Sequence, residues 1–143
     1  MLVNEFLPEF DVSDVIETVV ATDVATTWRT LIEADVIDVG KRRPLVAVLG
    51  AVRILPEIVW QLLHGERPSG APDRLTLLDT TKLPASGGGW VLLGEPPQEE
   101  IVLGQVGKFW RPVIEYAQVD AATFKEFAEP GFAKTVVKAI EVV

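Results

Sequence analysis

The sequence predicts an α+β fold in which a curved antiparallel sheet carries helices on its concave side. Two stretches supply the strands. Residues 100–112, EIVLGQVGKFWRP, form a long strand pattern interrupted by two glycines and closed by a Phe-Trp-Arg-Pro corner. Residues 129–143, EPGFAKTVVKAIEVV, form a second long strand pattern introduced by Pro130-Gly131. The third observation is helical periodicity upstream of both. Strands of this length set against apolar helices can enclose a pocket, so the expected function is holding a hydrophobic small molecule.

In chain order, residues 15–21 alternate as a strand, with Val15, Glu17 and Val19 on one face and Ile16, Thr18 and Val20 on the other. Asp23 then offers an N-cap. Val24, Trp28, Leu31, Ile32 and Asp35 follow at helical spacing. Residues 44–55 predict a second helix, apolar almost all round and therefore expected to be buried. Pro56 can open a third, because a helix's first turn does not use the missing N–H. That helix runs over 57–64 and stops at Gly65, a residue suited to the left-handed position after a helix. Residues 65–73 read as a loop and 75–83 as a short helix or irregular connector. Residues 85–89, ASGGG, read as flexible. Residues 90–95 and 100–109 predict a hairpin joined by a four-residue loop at 96–99. Gly104 and Gly107 weaken a strand interior and mark a bulge, a bend or a close approach to the backbone. Residues 113–119 read as extended. Asp120 caps a short helix over 121–127, and residues 133–143 form the last strand.

The chain has 143 residues, which predicts one domain over 1–143. It is 48% hydrophobic and 24% charged, with a formal net charge of -8. That balance disfavours nucleic acid and anionic membrane surfaces, which need a basic patch. The only basic cluster, Lys41-Arg42-Arg43, precedes an apolar helix and reads as its solvated cap. There are no cysteines, which removes disulfides, thiol nucleophiles and Cys-based metal sites. Glu5 and Glu9 stand where a secretory signal needs basic residues, and Pro8 breaks the apolar run. A cytoplasmic location is expected. Residues 44–63 have the length of a membrane span, but Arg53, Glu57 and Gln61 interrupt them, so no transmembrane segment is expected.

Several residues are candidates for chemistry. His64 is the single histidine; a general base near neutral pH is one reading and a helix-end residue the other. The carboxylates show no metal-ligand spacing, and no metal or cofactor is expected. Ser86-Gly87-Gly88-Gly89 lacks the Lys-Ser/Thr of a phosphate loop, and Ser13, Ser69 and Ser86 sit in no nucleophile elbow. Phe109-Trp110-Arg111-Pro112 is the best site candidate. Alternation would send Phe109 and Trp110 to opposite faces, one lining a cavity. Arg111 suits a ligand carboxylate or, equally, an ion pair with Glu115. Tyr116 offers a hydroxyl to a ligand or to solvent. Trp28 and Trp60 read as core residues, with Trp60 also a candidate for the pocket wall. Arg53, Glu57 and Gln61 read as a solvated stripe with an intrahelical ion pair. The expected ligand-binding set is thus Trp60, His64, Phe109, Trp110, Arg111 and Tyr116, with no catalytic residue identified.

The residues 4–8 (NEFLP), the helix centred on Trp28, residues 104–112 (GQVGKFWRP) and residues 129–134 (EPGFAK) together resemble a bacterial branch of the START and Bet v 1-like superfamily. That superfamily, also called SRPBCC, includes polyketide cyclases and lipid-transfer proteins. The resemblance covers nearly the whole chain. It implies the helix-grip fold, a curved sheet wrapped on a long C-terminal helix with a cavity between them. It carries no universal catalytic residue. Here the chain reaches Val143 within a strand pattern, so a C-terminally shortened form is expected. Its uncovered face would be met by a homodimer or by the two apolar helices.

Three functions follow as expectations. The first is a non-catalytic carrier of a lipid-like or polyketide-like molecule. The second is a cyclase- or aromatase-type enzyme acting on such a ligand, which requires His64, Arg111, Glu115 and Tyr116 to converge in one cavity. The third is a self-associating interaction module.

Overall fold

The structure is a computed structural model that describes residues 2–67, 73–83, 89–96 and 98–139, leaving aside the side chains at positions 46, 50, 53, 54 and 57. The predicted flexible run at 85–89 lies outside the described residues except for Gly89, as do Ser69, Ser86 and the end of the last predicted strand. The side chains of Arg53 and Glu57, and hence most of the expected polar stripe, also lie outside.

The architecture is α+β, with an open three-stranded antiparallel sheet and several helices. The strands are β1 (Val91–Gly94), β2 (Ile101–Gly107) and β3 (Ala133–Ala139), in the order β1-β2-β3. The expected hairpin is present: Val91 pairs with Gly104 and Leu92 with Leu103, before a bulge shifts the register to Gly94 and Val102. β3 pairs along all of β2, from Ile101 opposite Ala139 to Gly107 opposite Ala133. β1 stops beside Gly104, and the chain beyond β2 returns to take its place. Lys108 N donates to Glu115 O at 2.9 Å, and Ala117 N donates to Val106 O at 3.0 Å. The central strand thus has partners on both edges over most of its length.

All seven residues of β2 are buried, as expected for a central strand covered on both faces. Val102 and Val106 pack with Leu93 and Phe124 into the core, joined by Leu2, Val3 and Phe6. These last three come from a short helix, α1 (Val3–Phe6), and the residue before it. Phe124 belongs to α5 (Ala121–Glu126) and meets Phe6 edge-on at 6.4 Å. Asp120 caps α5 as expected. Its carboxylate accepts from Thr123 N at 2.7 Å, and the Thr123 hydroxyl accepts from Asp120 N at 3.0 Å, a reciprocal capping box.

The predicted strand at 15–21 does not form. The segment carries no regular secondary structure and no ladder, and Ile16 and Val19 are 93% and 98% exposed. Alternation supplies a strand's faces; only a neighbouring edge supplies its hydrogen bonds. The helix after it is α2 (Val24–Glu33), and Asp23 caps it by accepting from Thr26 N at 2.9 Å. α2 ends before Asp35, contrary to the periodicity. The Asp35 carboxylate instead accepts from Ile37 N at 2.9 Å and starts α3 (Val36–Lys41). Leu75 N donates to the same oxygen at 3.3 Å, tying this restart to the connector.

The two helices expected over 44–64 are one, α4 (Pro44–Leu63), with Pro56 inside it. Pro56 removes one backbone hydrogen bond, but the remaining apolar helix formers carry the helix through. His64 and Gly65 end it as predicted, Gly65 with a φ of 72° that a Cβ would strain. α4 is not buried. Leu45, Val48, Leu49, Val52, Leu55, Val59, Trp60, Leu62 and Leu63 are exposed along it. The helices that pack closely on the sheet are α1 and α5, not α2 and α4; α4 packs on α3. Among the described residues, α2 and α4 do not pack on the sheet as the expected pocket requires; α2 faces Gln98 of the β1–β2 loop across an open cleft. Among the described residues, no helix is long and apolar enough to cross a membrane.

Candidate functional site

The six residues expected to bind a ligand fall into two groups. Trp60 and His64 share a face of α4 one turn apart. Their ring centroids are 4.0 Å apart, and the His64 Nδ1 donates to the Trp60 carbonyl at 2.9 Å. A carbonyl can only accept, so this bond takes the Nδ1–H as its donor and leaves Nε2 outside it. The spacing of Leu45, Val48, Leu49, Val52, Leu55, Val59 and Leu63 extends this end into one apolar stripe along the helix. Twenty residues of helix span about 30 Å, enough to lie alongside an extended acyl chain.

The other group forms the corner after β2. The strand ends at Gly107, so Phe109 and Trp110 lie in a turn and do not alternate across the sheet. Phe109 meets Tyr116 edge-on at 6.3 Å. Both rings rest against Gly107, where a Cβ would come within 3.3 Å of each. Trp110 points outward and is 64% exposed, so it is not a cavity wall. Glu115 gathers the local cations: Lys108 Nζ lies 3.0 Å and Arg111 Nη1 2.9 Å from its two oxygens. Lys108 also sits 4.4 Å above the Phe132 ring. Arg111 thus makes the ion pair with Glu115, one of its two readings. Arg111 and Glu115 are both about half exposed, where such a pair contributes roughly 0–1 kcal/mol.

Neither group lines the two clefts beside α2, one against the connector and one against Gln98 of the β1–β2 loop. One, of about 380 Å³, is bounded by Ile32, Glu33, Arg74, Thr76, Leu78, Asp79 and Lys82. The other, of about 240 Å³, is bounded by Ala25, Trp28, Arg29, Ile32, Glu33 and Gln98. Both are open, and their walls mix charged with apolar groups. Asp79 leads the 3-10 turn Asp79–Lys82. Lys82 Nζ and Thr76 Oγ1 each donate to its carboxylate at 2.7 Å. The Lys82 ammonium first, then the Thr76 hydroxyl and amide, hold Asp79 well below the usual carboxylate range. It stays an anion near neutral pH and cannot serve as a proton donor. The Thr76-x-x-Asp79-x-x-Lys82 spacing was the available signal for this cluster; it was hidden in a segment with no clear period. Among the described residues, no three His, Asp or Glu side chains converge to hold a metal ion.

Among the described residues, the sheet face that α5 covers leaves no room beside Gly104. A Cβ there would lie 2.7 Å from Leu93 Cδ1 and 2.7 Å from Phe124 Cε2. The missing side chain is filled by its neighbours, which explains Gly104 as a close-approach residue and not a pocket residue. Compared with known proteins, the chain matches no family model, no curated protein and no solved structure.

Proposed function

We propose that this chain binds a hydrophobic small molecule of lipid-like or polyketide-like chemistry, without catalysis, along the apolar stripe of α4. The observation that carries the reading is the solvent exposure of that stripe from Leu45 to Leu63. Folded proteins seldom leave a contiguous apolar patch of more than a few hundred Å² uncovered unless it binds something. Trp60 stands on the stripe and His64 at its end, with Nε2 open to a polar head group. A carrier is favoured over a cyclase by the arrangement of the polar candidates. Arg111, Glu115 and Tyr116 meet at the sheet corner, whereas His64 is engaged with Trp60 on α4. The helix-grip likeness belongs to the same proposal, with β2 and β3 as part of its sheet.

Titration with palmitate tests this in a variant whose Trp28, Trp90 and Trp110 are phenylalanine, leaving Trp60 as the reporter. Saturable blue-shifted fluorescence, lost in Leu49→Ser/Val52→Ser, is the expected result. Both positions are exposed, so the fold should survive the change. A linear, unsaturable response, or binding indifferent to the double variant, refutes the location and the function with it.

A further inference from the structure

Two elements of this fold are unfinished, and they match each other. The first is the irregular segment before α2. Phe10, Val12, Val15, Ile16, Val19 and Val20 are all exposed there, in a strand-like alternation with no ladder. The second is the outer edge of β3. Among the described residues no strand pairs with it, so alternate N–H and C=O groups of β3 face outward.

One charge pair, Glu17 with Lys138, makes them complementary. Residues 11–20, DVSDVIETVV, contain Asp11, Asp14 and Glu17 and no base. β3, AKTVVKA, contains Lys134 and Lys138 and no acid, and the Lys134 ammonium already donates to Lys125 O at 3.0 Å. Side-chain pattern makes them complementary as well. An antiparallel register with Val19 opposite Val136 places Glu17 opposite Lys138. On the other face it places Ile16, Thr18 and Val20 opposite Ala139, Val137 and Thr135. Val137, 45% exposed on that face, would gain an apolar and methyl-bearing neighbourhood. Cross-strand pairs of opposite charge and of β-branched residues are those that stabilise antiparallel ladders.

We propose that residues 15–20 of one copy add as a strand to the β3 edge of a second copy, and reciprocally, to give a two-fold dimer. α1 packs on β3 of its own chain, yet the segment that follows α1 stays off its own edge. The second copy therefore supplies the partner. Reciprocal exchange closes the assembly: each copy donates one strand and accepts one, leaving no open edge of this kind for further growth. Main-chain hydrogen bonds provide the affinity and the alternate side chains the register.

The chain's lack of cysteine makes a direct test possible. Thr18→Cys combined with Val137→Cys should give a covalent dimer under mild oxidation, because the two positions face each other across copies. An internal disulfide, seen as a faster-migrating monomer, overturns the second copy as partner; no crosslink overturns the pairing. Light scattering coupled to size exclusion adds a second arm. The unaltered chain should be dimeric at micromolar concentration, and Val19→Pro should shift it to monomer without changing its far-UV spectrum. Glu17→Lys and Lys138→Glu should each weaken the dimer at least tenfold, and their combination should restore it. A dimer that survives Val19→Pro but is lost in Leu49→Lys is held by α4, and refutes the proposal.

Discussion

Gly104 and Phe124 show how tightly single atoms are specified in this core. The Phe124 ring occupies the space a side chain at 104 would need, at 2.7 Å from the position of its Cβ. Gly104→Ala must push that ring or Leu93 aside, and is expected to cost about 1–3 kcal/mol. Phe124→Ala is expected to cost about 3–5 kcal/mol, because the ring is fully buried against Val102, Val106 and Leu93. Urea denaturation measures both; a neutral Gly104→Ala would mean that the face is not packed as described. The hydrogen-bonded aspartates make a separate prediction about acid. Thr26 holds Asp23 below its ordinary value by its hydroxyl, then by its amide. Lys82 does the same for Asp79, and the Thr123 amide for Asp120. A depressed folded-state value stabilises the fold fully above the unfolded value, near pH 4, and less as pH falls below it. The melting temperature should be flat from pH 6 to about pH 4 and fall below that. Asp79→Asn should remove part of the fall; an unchanged acid limb would show that the Asp79 contacts do not persist in solution.

Elements differ in how much of their structure they carry themselves. α5 was legible because its signals are local: Asp120 and Thr123 close a capping box within four residues. The helix end at His64 and Gly65 was legible for the same reason. α4 was misread as two helices because Pro56 is a strong local breaker, yet a helix tolerates one lost hydrogen bond when both flanks are good formers. Pro56→Ala should restore that bond to the Val52 carbonyl and stabilise α4 locally by up to about 3 kcal/mol. Its helical circular dichroism signal should then persist to higher temperature, while a drop in helicity would contradict the continuous helix. The strand pattern at 15–21 was misread for the opposite reason. A strand completes no hydrogen bond of its own, so alternation predicts a face without predicting a neighbour.

At the scale of the whole molecule, order is concentrated around β2. Its edges are held by β1, β3 and the returning segment at Glu115 and Ala117, and its core-facing side by α1 and α5. α2 and α3 are joined to the connector through Asp35 and Arg74, whose guanidinium donates to Glu33 O at 2.9 Å, and α4 packs on α3. Native-state hydrogen exchange should therefore be slowest at Ile101–Gly107 and much faster in α4, whose solvent-facing turns lack a covering partner. Ligand that covers α4 should slow exchange there selectively. Uniform protection across both regions would indicate a closer packing of α4 than the structure describes.

By itself the sequence determined the α+β class, the hairpin of β1 and β2, the helix caps at Asp23 and Asp120, the stop at Gly65 and the ion-pair option of Arg111 with Glu115. Each is encoded within a few residues, through a turn, a cap or a period. Only the tertiary structure decided which helices cover the sheet, that α4 is one exposed helix, that Trp110 faces solvent, and that Trp60 and His64 stand apart from the Phe109–Tyr116 corner. Those outcomes depend on contacts between segments distant in the chain. Apolar periodicity says that a face is to be covered, but hydrophobic attraction is non-directional. It leaves the choice of partner to the fit of particular surfaces, such as the Phe124 ring over Gly104.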